Sequence, residues 1–363
     1  MKLKSGLRVL WRGPEEAQIG CDPQLAHLIR LEHPREFDVL QMLEQEQHAP
    51  HLRRLLEEAG GARERVDHLI RELADAGLMQ ASHRNRSSEL EVDPERRDLL
   101  AAEAESRCLM AGNGWRELAR RQDRCVSIYG LGRTGAHIAL GLATAGVGRL
   151  QLSDPSPVTA RDRGQVFQRR HIGMTRAEAV ADVIAEHDLF CCVRIAGPWR
   201  RPQAGVLVDY EVTDPNRSAY FAMHGIPHLS VVVGELDISC GPWVAGQGGP
   251  CLRCLRLWAA DDDPGWPGLA TQRFARSAVA ARGEDSCLAA TVGSIAVNQV
   301  VQGLHGARPI TTGRTMTVGL PAYEIAWRKV DSHPRCDHHQ ADRRRSPRGH
   351  TPPPPKLALP PAP

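Results

Sequence analysis

The stretch CVSIYGLGRTGAHIALGLATAGVGRLQLSD, residues 125–154, decides the fold that this chain can adopt. It opens with a β-branched and aliphatic run, Val126 to Tyr129, which leads into the glycine loop Gly130-x-Gly132-x-x-Gly135. An apolar pattern of helical spacing follows, and a second short apolar run ends at Asp154. Strand, glycine loop, helix and strand in this order predict a β-α-β unit.

A glycine loop in this position is typical of an anion-binding site. Glycines permit a tight turn and a close backbone approach, so the helix N-terminus presents free N–H groups to a phosphate. Asp154 follows the glycine loop by about 20 residues, the sequence separation at which an acidic side chain accepts hydrogen bonds from both ribose hydroxyls of a nucleotide. Gly130, Gly132, Gly135 and Asp154 are therefore candidate nucleotide-binding residues. The alternative is a glycine-rich turn without a ligand.

Length and composition exclude some classes of protein. The 363 residues suffice for two or three domains, and a net charge of +3 gives no global reason to expect nucleic-acid or membrane affinity. There is no run of 18 apolar residues, and Met1-Lys-Leu-Lys leads into a polar strand pattern, so we expect neither a transmembrane helix nor a secretory signal. The expected location is the cytoplasm, where the ten cysteines would be thiols, metal ligands or catalytic groups rather than disulfides.

Residues 1–80 have the pattern of a small module of their own. Apolar residues alternate at Leu7, Val9 and Trp11 as in a strand, and residues 17–20 could complete a hairpin. Three apolar helical faces follow, the last ended by Gly77. Two strands and three short helices predict a winged-helix-like domain. Glutamates interrupt its basic residues, which argues against DNA binding and leaves peptide binding or a plain helical core.

The remaining chain alternates helix and strand patterns, with strands predicted at 189–195, 206–210, 229–233 and 238–244, and then changes character. Residues 81–92 are polar and suggest a linker, and Asp93-Pro94-Glu95 opens a helix. A long apolar helix is predicted from Leu288 to Leu304. The end of the chain is rich in arginine and proline and predicts a disordered tail. The predicted parts are 1–80, linker and helix 81–109, an α/β domain 110–340, and the tail 341–363.

The segment after Asp154 is rich in arginine. It reads DPSPVTARDRGQVFQRRHIGMTRAEAV, residues 154–180, and should overhang the phosphate end of a bound nucleotide. Cations there would stabilise a triphosphate and the transition state of its transfer, which a pyrophosphate-bridged redox cofactor does not need. The segment therefore favours ATP over NAD.

These motifs resemble the ThiF family of ubiquitin-activating-enzyme-like adenylyltransferases over residues 110–340. The resemblance implies a Rossmann-like nucleotide-binding domain that uses ATP and Mg²⁺. It places Arg163 on the phosphate-binding arginine of the family and Arg176 on its catalytic lysine. It also places Asp214, in the pair Thr213-Asp214, on the aspartate that holds magnesium. The alternatives are solvated arginines at 163 and 176, and a turn or helix-cap aspartate at 214.

The chain departs from the family pattern at three positions in this region. Gly164 replaces a glutamine, Ala160 replaces an asparagine, and Arg176 replaces the catalytic lysine. All but four of the 46 basic residues are arginines, so the last change is partly compositional. A guanidinium nevertheless differs from an ammonium in reach and donor geometry. These three departures therefore bear on catalytic competence and do not argue against the nucleotide-binding fold.

A second motif predicts a metal site. Gly248-Gly249-Pro250-Cys251-Leu-Arg-Cys254-Leu255 matches the first zinc motif of the family, and Cys336 with His339 stands where its second pair is expected. Three thiolates and one imidazole complete a tetrahedral zinc site with no open position, which indicates a structural role. His338 is an alternative fourth ligand. The remaining alternative is a bare thiol turn, with Cys336 and its histidines part of the tail.

The sequence context of three other cysteines predicts whether they are reactive or buried. In some relatives of the family a cysteine near the position of Cys287 takes the activated acyl group, but only the following helix would lower its pKa here. We therefore expect Cys287 to be a half-buried core residue. Cys191 and Cys192 are likewise predicted to lie in the core of a strand.

The resemblance covers both parts of the chain and implies a function. A PqqD-like peptide-recognition module ahead of a ThiF-like domain is similar to components of peptide natural-product maturation. The expected activity is ATP-dependent activation of the carboxylate of a precursor peptide or small carrier protein as an acyl-adenylate. The alternative is a catalytically degenerate scaffold that holds a leader peptide for a partner cyclodehydratase. A third reading is an NAD-dependent oxidoreductase. Relatives are usually dimers, so a homodimer is expected.

Overall fold

The computed structural model describes residues 1–80, 92–111, 114–195, 201–245, 249–277 and 283–338. The chain folds as two compact units. The first comprises Met1–Ala204 and Gly283–Ala307, and the second comprises Gly205–Arg282 and Arg308–Pro363. The predicted linker lies almost wholly outside the described residues, as does the predicted tail. The domain boundaries derived from the sequence stay predictions.

The N-terminal part of the first unit combines a three-stranded antiparallel sheet with three helices. Its elements are β1 (Val9–Gly13), β2 (Glu16–Ile19), β3 (His27–Arg30), α1 (Arg35–Met42), α2 (Ala49–Glu58) and α3 (Arg63–Asp75). The strand order is β1-β2-β3. The sequence predicted only two strands, because β3 has four residues and is too short to show alternation. The winged-helix assignment stays a prediction.

One apolar core holds this module together. Gly77 adopts the left-handed backbone expected after the end of α3, with φ of +70°. Burial of aliphatic side chains from every element supplies the driving force for folding. The fully buried members include Leu3, Ile19, Ile29, Leu40, Leu52, Leu56, Leu69 and Leu73.

The rest of the first unit contains the predicted β-α-β unit. Its elements are α4 (Pro94–Ala111), α5 (Gly114–Gln122), β4 (Cys125–Tyr129), α6 (Arg133–Thr144), β5 (Arg149–Ser153), α7 (Arg176–Glu186), β6 (Cys192–Ile195) and α11 (Ser286–Leu304). β5 pairs in parallel with both β4 and β6. The predicted strand from Leu189 to Ile195 is shorter than expected. Its start is interrupted by positive φ angles at Asp188 and Phe190.

Two cysteines of this strand are not in the core. Cys192 is exposed and Cys191 is only partly buried, so the prediction for this pair was wrong. β6 pairs with β5 alone among the described strands, and most of its side chains face solvent. Two adjacent cysteines on such an edge cannot both point inward, because side chains alternate along a strand.

α11 is the one described helix that is long and apolar enough to cross a membrane by length and composition. It packs against α6 through small residues. A Cβ on Gly141 would lie 2.8 Å from a methyl of Val297, and one on Gly293 would lie 2.9 Å from the Cβ of His137. Such close contact between two apolar helices is typical of a protein core. A helix buried in a core is expected to have the same apolar composition as a membrane-spanning helix.

The second unit contains a five-stranded mixed sheet. Its elements are β7 (Ala204–Tyr210), α8 (Pro215–Met223), β8 (His228–Val233), β9 (Asp237–Val244), α9 (Leu252–Asp262), α10 (Trp266–Ser277), β10 (Arg314–Gly319) and β11 (Glu324–Lys329). β7 and β8 run parallel, and the pairs β8–β9, β9–β10 and β10–β11 run antiparallel. The predicted strands 206–210, 229–233 and 238–244 are confirmed.

Candidate nucleotide and metal sites

The glycine loop has the predicted backbone. β4 ends at Tyr129, and Gly130 turns the chain with φ of +82°, a conformation that favours glycine. Gly132 is the N-cap of α6, which begins at Arg133. The loop therefore delivers the chain directly from a strand into a helix N-terminus, as an anion-binding loop requires.

Asp154 lies against this loop at the end of β5. The parallel register pairs Tyr129 with Ser153, and the amide of Gly130 donates to the carbonyl of Ser153. The buried Asp154 carboxylate accepts from the amide of Leu131 at 2.7 Å and from that of Ser156 at 3.0 Å. The structure thus brings together the glycine loop and the predicted ribose-binding acid.

The first turn of α6 already holds a carboxylate of the chain. Glu284, only 8% exposed, accepts from the amide of Arg133 at 3.0 Å and from the amide of Thr134 at 2.8 Å. The Thr134 hydroxyl donates to the same carboxylate at 2.5 Å. Free N–H groups and the helix dipole favour an anion here, and Glu284 supplies one. Sequence reasoning missed this residue because its partners lie about 150 positions away.

Arg133 fastens three segments around the loop. Its guanidinium donates to the carbonyl of Glu284 at 2.9 Å and to the hydroxyl of Ser286 at 2.7 Å. It also donates to the carbonyls of Arg161 and Arg163, at 2.7 and 2.8 Å. The side chain therefore ties the arginine-rich segment and the start of α11 to the glycine loop. No role for Arg133 is predictable from the sequence, because nothing local distinguishes it from other arginines.

Arg176 is largely shielded from solvent and is paired with carboxylates. Its guanidinium is 2.5 Å from Asp162 and 3.7 Å from Asp154, and the side chain is 11% exposed. Asp162 in turn accepts from the amide and hydroxyl of Thr159. Thr175 and Glu178 form a reciprocal capping box that fixes the start of α7, and with it the position of Arg176. The cation in the place of the family's lysine is thus balanced by two carboxylates.

Arg163 has the opposite environment. Its side chain is exposed and has no hydrogen bond or ion pair within the described parts of the chain. It lines an open cleft of about 440 Å³ together with Gly164, Phe167, Gln168 and Arg169. The structure therefore places Arg163 at a cleft and Arg176 inside an ion-pair network.

Asp214 lies in the second unit and caps α8. Its carboxylate accepts from the amides of Asn216, at 2.8 Å, and Arg217, and its other oxygen is 3.2 Å from the Arg217 guanidinium. The helix-cap alternative therefore describes the geometry of this residue. Burial raises the pKa of the neighbouring Asp209 to about 6, although its carboxylate accepts from the Asp214 amide. The two acids at the end of β7 are thus in unlike environments.

The cysteine cluster converges as the zinc motif predicts. The Sγ of Cys251 lies 3.8 Å from that of Cys254, 3.6 Å from that of Cys336 and 3.6 Å from the Nδ1 of His338. All three thiols are buried. The hydrogen bond from Cys251 lowers the pKa of Cys254 to about 4, and the same bond and burial raise the pKa of Cys251. Three sulfurs and an imidazole nitrogen within this distance fit tetrahedral Zn²⁺.

The histidine that lies at the cysteine cluster is His338, whereas His339 lies outside the described residues. The prediction of a half-buried Cys287 was wrong, because its side chain is exposed. It stands in the first turn of α11, where Asp285 caps the helix and Leu288 is the first inward residue.

Comparison with known proteins gives structural matches only. No protein-family model and no curated protein matches the sequence. E. coli MccB with ATP superposes with a TM-score of 0.66 at 13% identity, covering 93% of this chain and 99% of that one. The microcin C7 biosynthetic enzyme MccB in complex with N-formylated MccA gives 0.67 at 12%, covering 93% and 98%. PaaA gives 0.69 at 16%, covering 90% and 99%. At these identities the matches show a shared fold.

Proposed function

We propose that the protein binds a peptide and activates its carboxylate with ATP and Mg²⁺ as an acyl-adenylate. The observation that carries this proposal is the glycine loop with Asp154 packed against it, in a chain whose fold matches MccB over 93% of its length. MccB has been captured both with ATP and with the peptide MccA. A precursor peptide is therefore the substrate class we assign.

The proposed reaction is attack of the peptide carboxylate on the α-phosphorus of ATP, which releases pyrophosphate. Asp154 would accept the ribose hydroxyls, because each carboxylate oxygen keeps a lone pair beyond its amide bond. Arg163 would contact phosphate oxygens and Asp214 would hold Mg²⁺. Arg176 would orient the loop through Asp162 and Asp154 rather than contact phosphate directly. Zinc would hold the second unit together without taking part in the reaction.

The N-terminal module is the proposed peptide site. Trp11 on the edge strand β1 is 53% exposed and packs edge-on against Phe37 of α1. An edge strand beside an exposed aromatic pair suits strand addition by an extended peptide. The Val9 amide already donates to Glu44, so pairing would use the part of β1 that follows it. A homodimer and a cyclodehydratase partner belong to this proposal as expectations from family resemblance.

A second candidate function is favoured by one specific observation. Glu284 accepts from two amides at the α6 N-terminus, those of Arg133 and Thr134, and Arg176 is paired with Asp162 and Asp154. Both groups that would meet phosphate in the family are satisfied within the chain. This arrangement suits a scaffold that keeps the fold, binds a leader peptide and leaves catalysis to a partner enzyme.

ATP–pyrophosphate exchange with peptides encoded beside the gene separates the two candidates. The enzyme predicts peptide-dependent exchange, which Arg176→Ala abolishes and Arg176→Lys retains. The scaffold predicts no exchange with a peptide that binds, and unchanged peptide affinity in Arg176→Ala.

Peptide binding has its own matched pair of variants. Trp11→Ala removes the aromatic beside β1, and Leu28→Ala removes a similarly exposed side chain (49%) on β3, the opposite edge of the same sheet. Strand addition at β1 predicts that Trp11→Ala weakens peptide binding at least tenfold more than Leu28→Ala, as expected for an exposed aromatic anchor. The reverse ranking would move the peptide to β3.

A further inference from the structure

The outer strand of the second unit, β11 (Glu324–Lys329), has an open edge. Among the strands that the structure describes, it pairs with β10 alone. All six of its residues are exposed, and none is a proline. An exposed edge strand presents backbone groups on which another strand can pair, and proteins commonly block such edges.

The hydrogen-bond pattern of the sheet shows which backbone groups face this edge. The amide of Val330 donates to the carbonyl of Gly313, one position beyond the β10–β11 register. Hydrogen-bonded and non-hydrogen-bonded pairs alternate along an antiparallel ladder, so residues 324, 326 and 328 bond to β10. The N–H and C=O groups of Ile325 and Trp327 therefore point toward the open edge.

The side chains of Ile325 and Trp327 extend an apolar face of the sheet to this edge. They lie directly opposite Val318 and Met316 of β10, which are buried. Ile325 is nevertheless 55% exposed and Trp327 is 45% exposed. A strand added beside β11 would cover both side chains.

The sequence of β11, EIAWRK, is complementary to itself. A two-fold axis beside Ala326, perpendicular to the sheet, would place Ile325 opposite Trp327 of a second copy. On the other face it would place Glu324 opposite Arg328 of the second copy. Apolar and opposite-charge pairs in these positions stabilise neighbouring strands. A shift of the axis by one residue removes both kinds of pair.

We infer that β11 pairs in antiparallel orientation with β11 of a second copy of this chain, with the axis at Ala326. Each contact then occurs twice, as in any two-fold interface. The pairing needs neither ATP nor a peptide and goes beyond the proposed function. Family resemblance leads to the expectation of a homodimer, whereas the surface follows from the free edge and its complementary side chains.

A charge swap tests the surface and its register together. In analytical ultracentrifugation of the full-length protein, Glu324→Arg and Arg328→Glu should each raise the dimer dissociation constant about tenfold, because like charges would meet at two contacts. The double variant should return to within about threefold of wild type. The two residues are about 13 Å apart along one strand, so they cannot rescue each other within one chain. Glu105→Arg, at an exposed glutamate of α4, is the control.

The apolar pair is tested by Trp327→Ala. It should raise the dimer dissociation constant at least about tenfold, because an aromatic anchor is lost from both copies. The matched control is Met223→Ala on α8, whose side chain is 81% exposed and should leave the dimer unchanged. Urea unfolding checks that every variant is folded, since Arg328→Glu also loses an exposed ion pair with Asp262.

Four outcomes would overturn the proposal. A wild type that is monomeric at concentrations on the order of 10 μM lacks the specific dimer. A dimer that all β11 variants leave intact uses another surface. A double variant as dissociated as the single ones contradicts the register. Weaker peptide binding with an unchanged dimer would assign the edge to the peptide. None of these results changes what ATP–pyrophosphate exchange reports about the proposed function.

Discussion

The cysteine cluster and the glycine loop are both recognisable motifs, yet they differ in what their surroundings leave open. At the cluster, Cys251, Cys254 and Cys336 converge with no cationic side chain hydrogen-bonded to their sulfurs in the described part of the chain. At the loop, the amides of Leu131, Arg133 and Thr134 already donate to Asp154 or Glu284. One motif brings together ligand atoms that suit a cation, and the other binds a carboxylate of the same chain.

The difference teaches that motif geometry and motif occupancy are separate properties. The cysteine motif determines both the position and the chemistry of the site, because its sulfur atoms are themselves the metal ligands. Glycine spacing fixes only a backbone path. Which group accepts hydrogen bonds from the amides of that loop depends on the side chains that distant parts of the chain place beside it.

The strongest test of this comparison is removal of a cluster ligand. Cys251→Ser should lose bound zinc and lower the free energy of unfolding by on the order of 5 kcal/mol, since metal binding contributes directly to folding. Metal content by mass spectrometry and urea unfolding measure both effects. Cys192→Ser, at an exposed cysteine, is the matched control and should keep about one equivalent of zinc. Fully folded wild-type protein without metal would contradict the assignment.

The two histidines after Cys336 sharpen the same test. His338→Ala should reduce zinc affinity strongly, because the Nδ1 of His338 lies beside the Cys251 sulfur. His339→Ala should keep the metal. If His339→Ala loses the metal and His338→Ala retains it, the fourth ligand is His339, as the two-residue spacing predicted.

The loop side of the comparison is tested by Glu284→Gln. The amide keeps the shape of the side chain but removes the charge that three donors share, so the free energy of unfolding should fall by about 2–3 kcal/mol. Urea unfolding gives the difference, with Glu105→Gln on α4 as a control at an exposed glutamate. A loss below about 0.5 kcal/mol would mean that Glu284 does not hold the loop.

The sequence predicted the β-α-β unit well because its signals are local. Val126 to Tyr129, the three glycines and the apolar face of α6 each constrain the backbone within a few residues. The same holds for the helix opened by Asp93-Pro94, where the Asp93 carboxylate accepts from the amide of Glu95. Hydrophobic period and cap chemistry are sufficient where neighbours in sequence are neighbours in space.

The roles of individual side chains were harder to predict because their partners are distant. Glu284, Arg133 and Asp162 carry the electrostatics of the loop, yet no local pattern distinguishes them. Cys192 and Cys287 were assigned to the core because cysteine is usually buried, and their exposure depends on strand order and helix phase. Only tertiary structure contains that information.

A third charged site, around His305 in the first unit, should make the stability of the chain depend on pH. Burial and the neighbouring Arg121 lower the pKa of His305 to about 4, and its Nε2 accepts from the Arg121 guanidinium. Above pH 6.5 the imidazole is neutral in both folded and unfolded chains. As pH falls from 6.5 toward 4, the unfolded chain binds a proton that the folded chain does not, so the free energy of unfolding decreases.

Urea unfolding between pH 7 and 4.5 tests this pH dependence. The free energy of unfolding of the wild type should fall by about 1–2 kcal/mol more than that of His305→Gln over this range. Parallel stability curves would show that His305 takes up its proton at the same pH in the folded and the unfolded chain.

The smallest expected effect concerns Gly164, where the resembling family has glutamine. A Cβ here would meet only the Ser286 hydroxyl at 3.8 Å and the Arg133 guanidinium at 4.0 Å, which are ordinary contacts. Gly164→Gln should therefore change the free energy of unfolding by less than about 0.5 kcal/mol in urea titration. Gly148→Ala is the contrasting variant, since its Cβ would lie 1.7 Å from the Gln122 carbonyl oxygen and must destabilise the chain. If Gly164→Gln were equally destabilising, the glycine would be a requirement of the fold. Tolerance of glutamine would instead show that the fold permits the residue of the resembling family at this position, so that stability does not require glycine here.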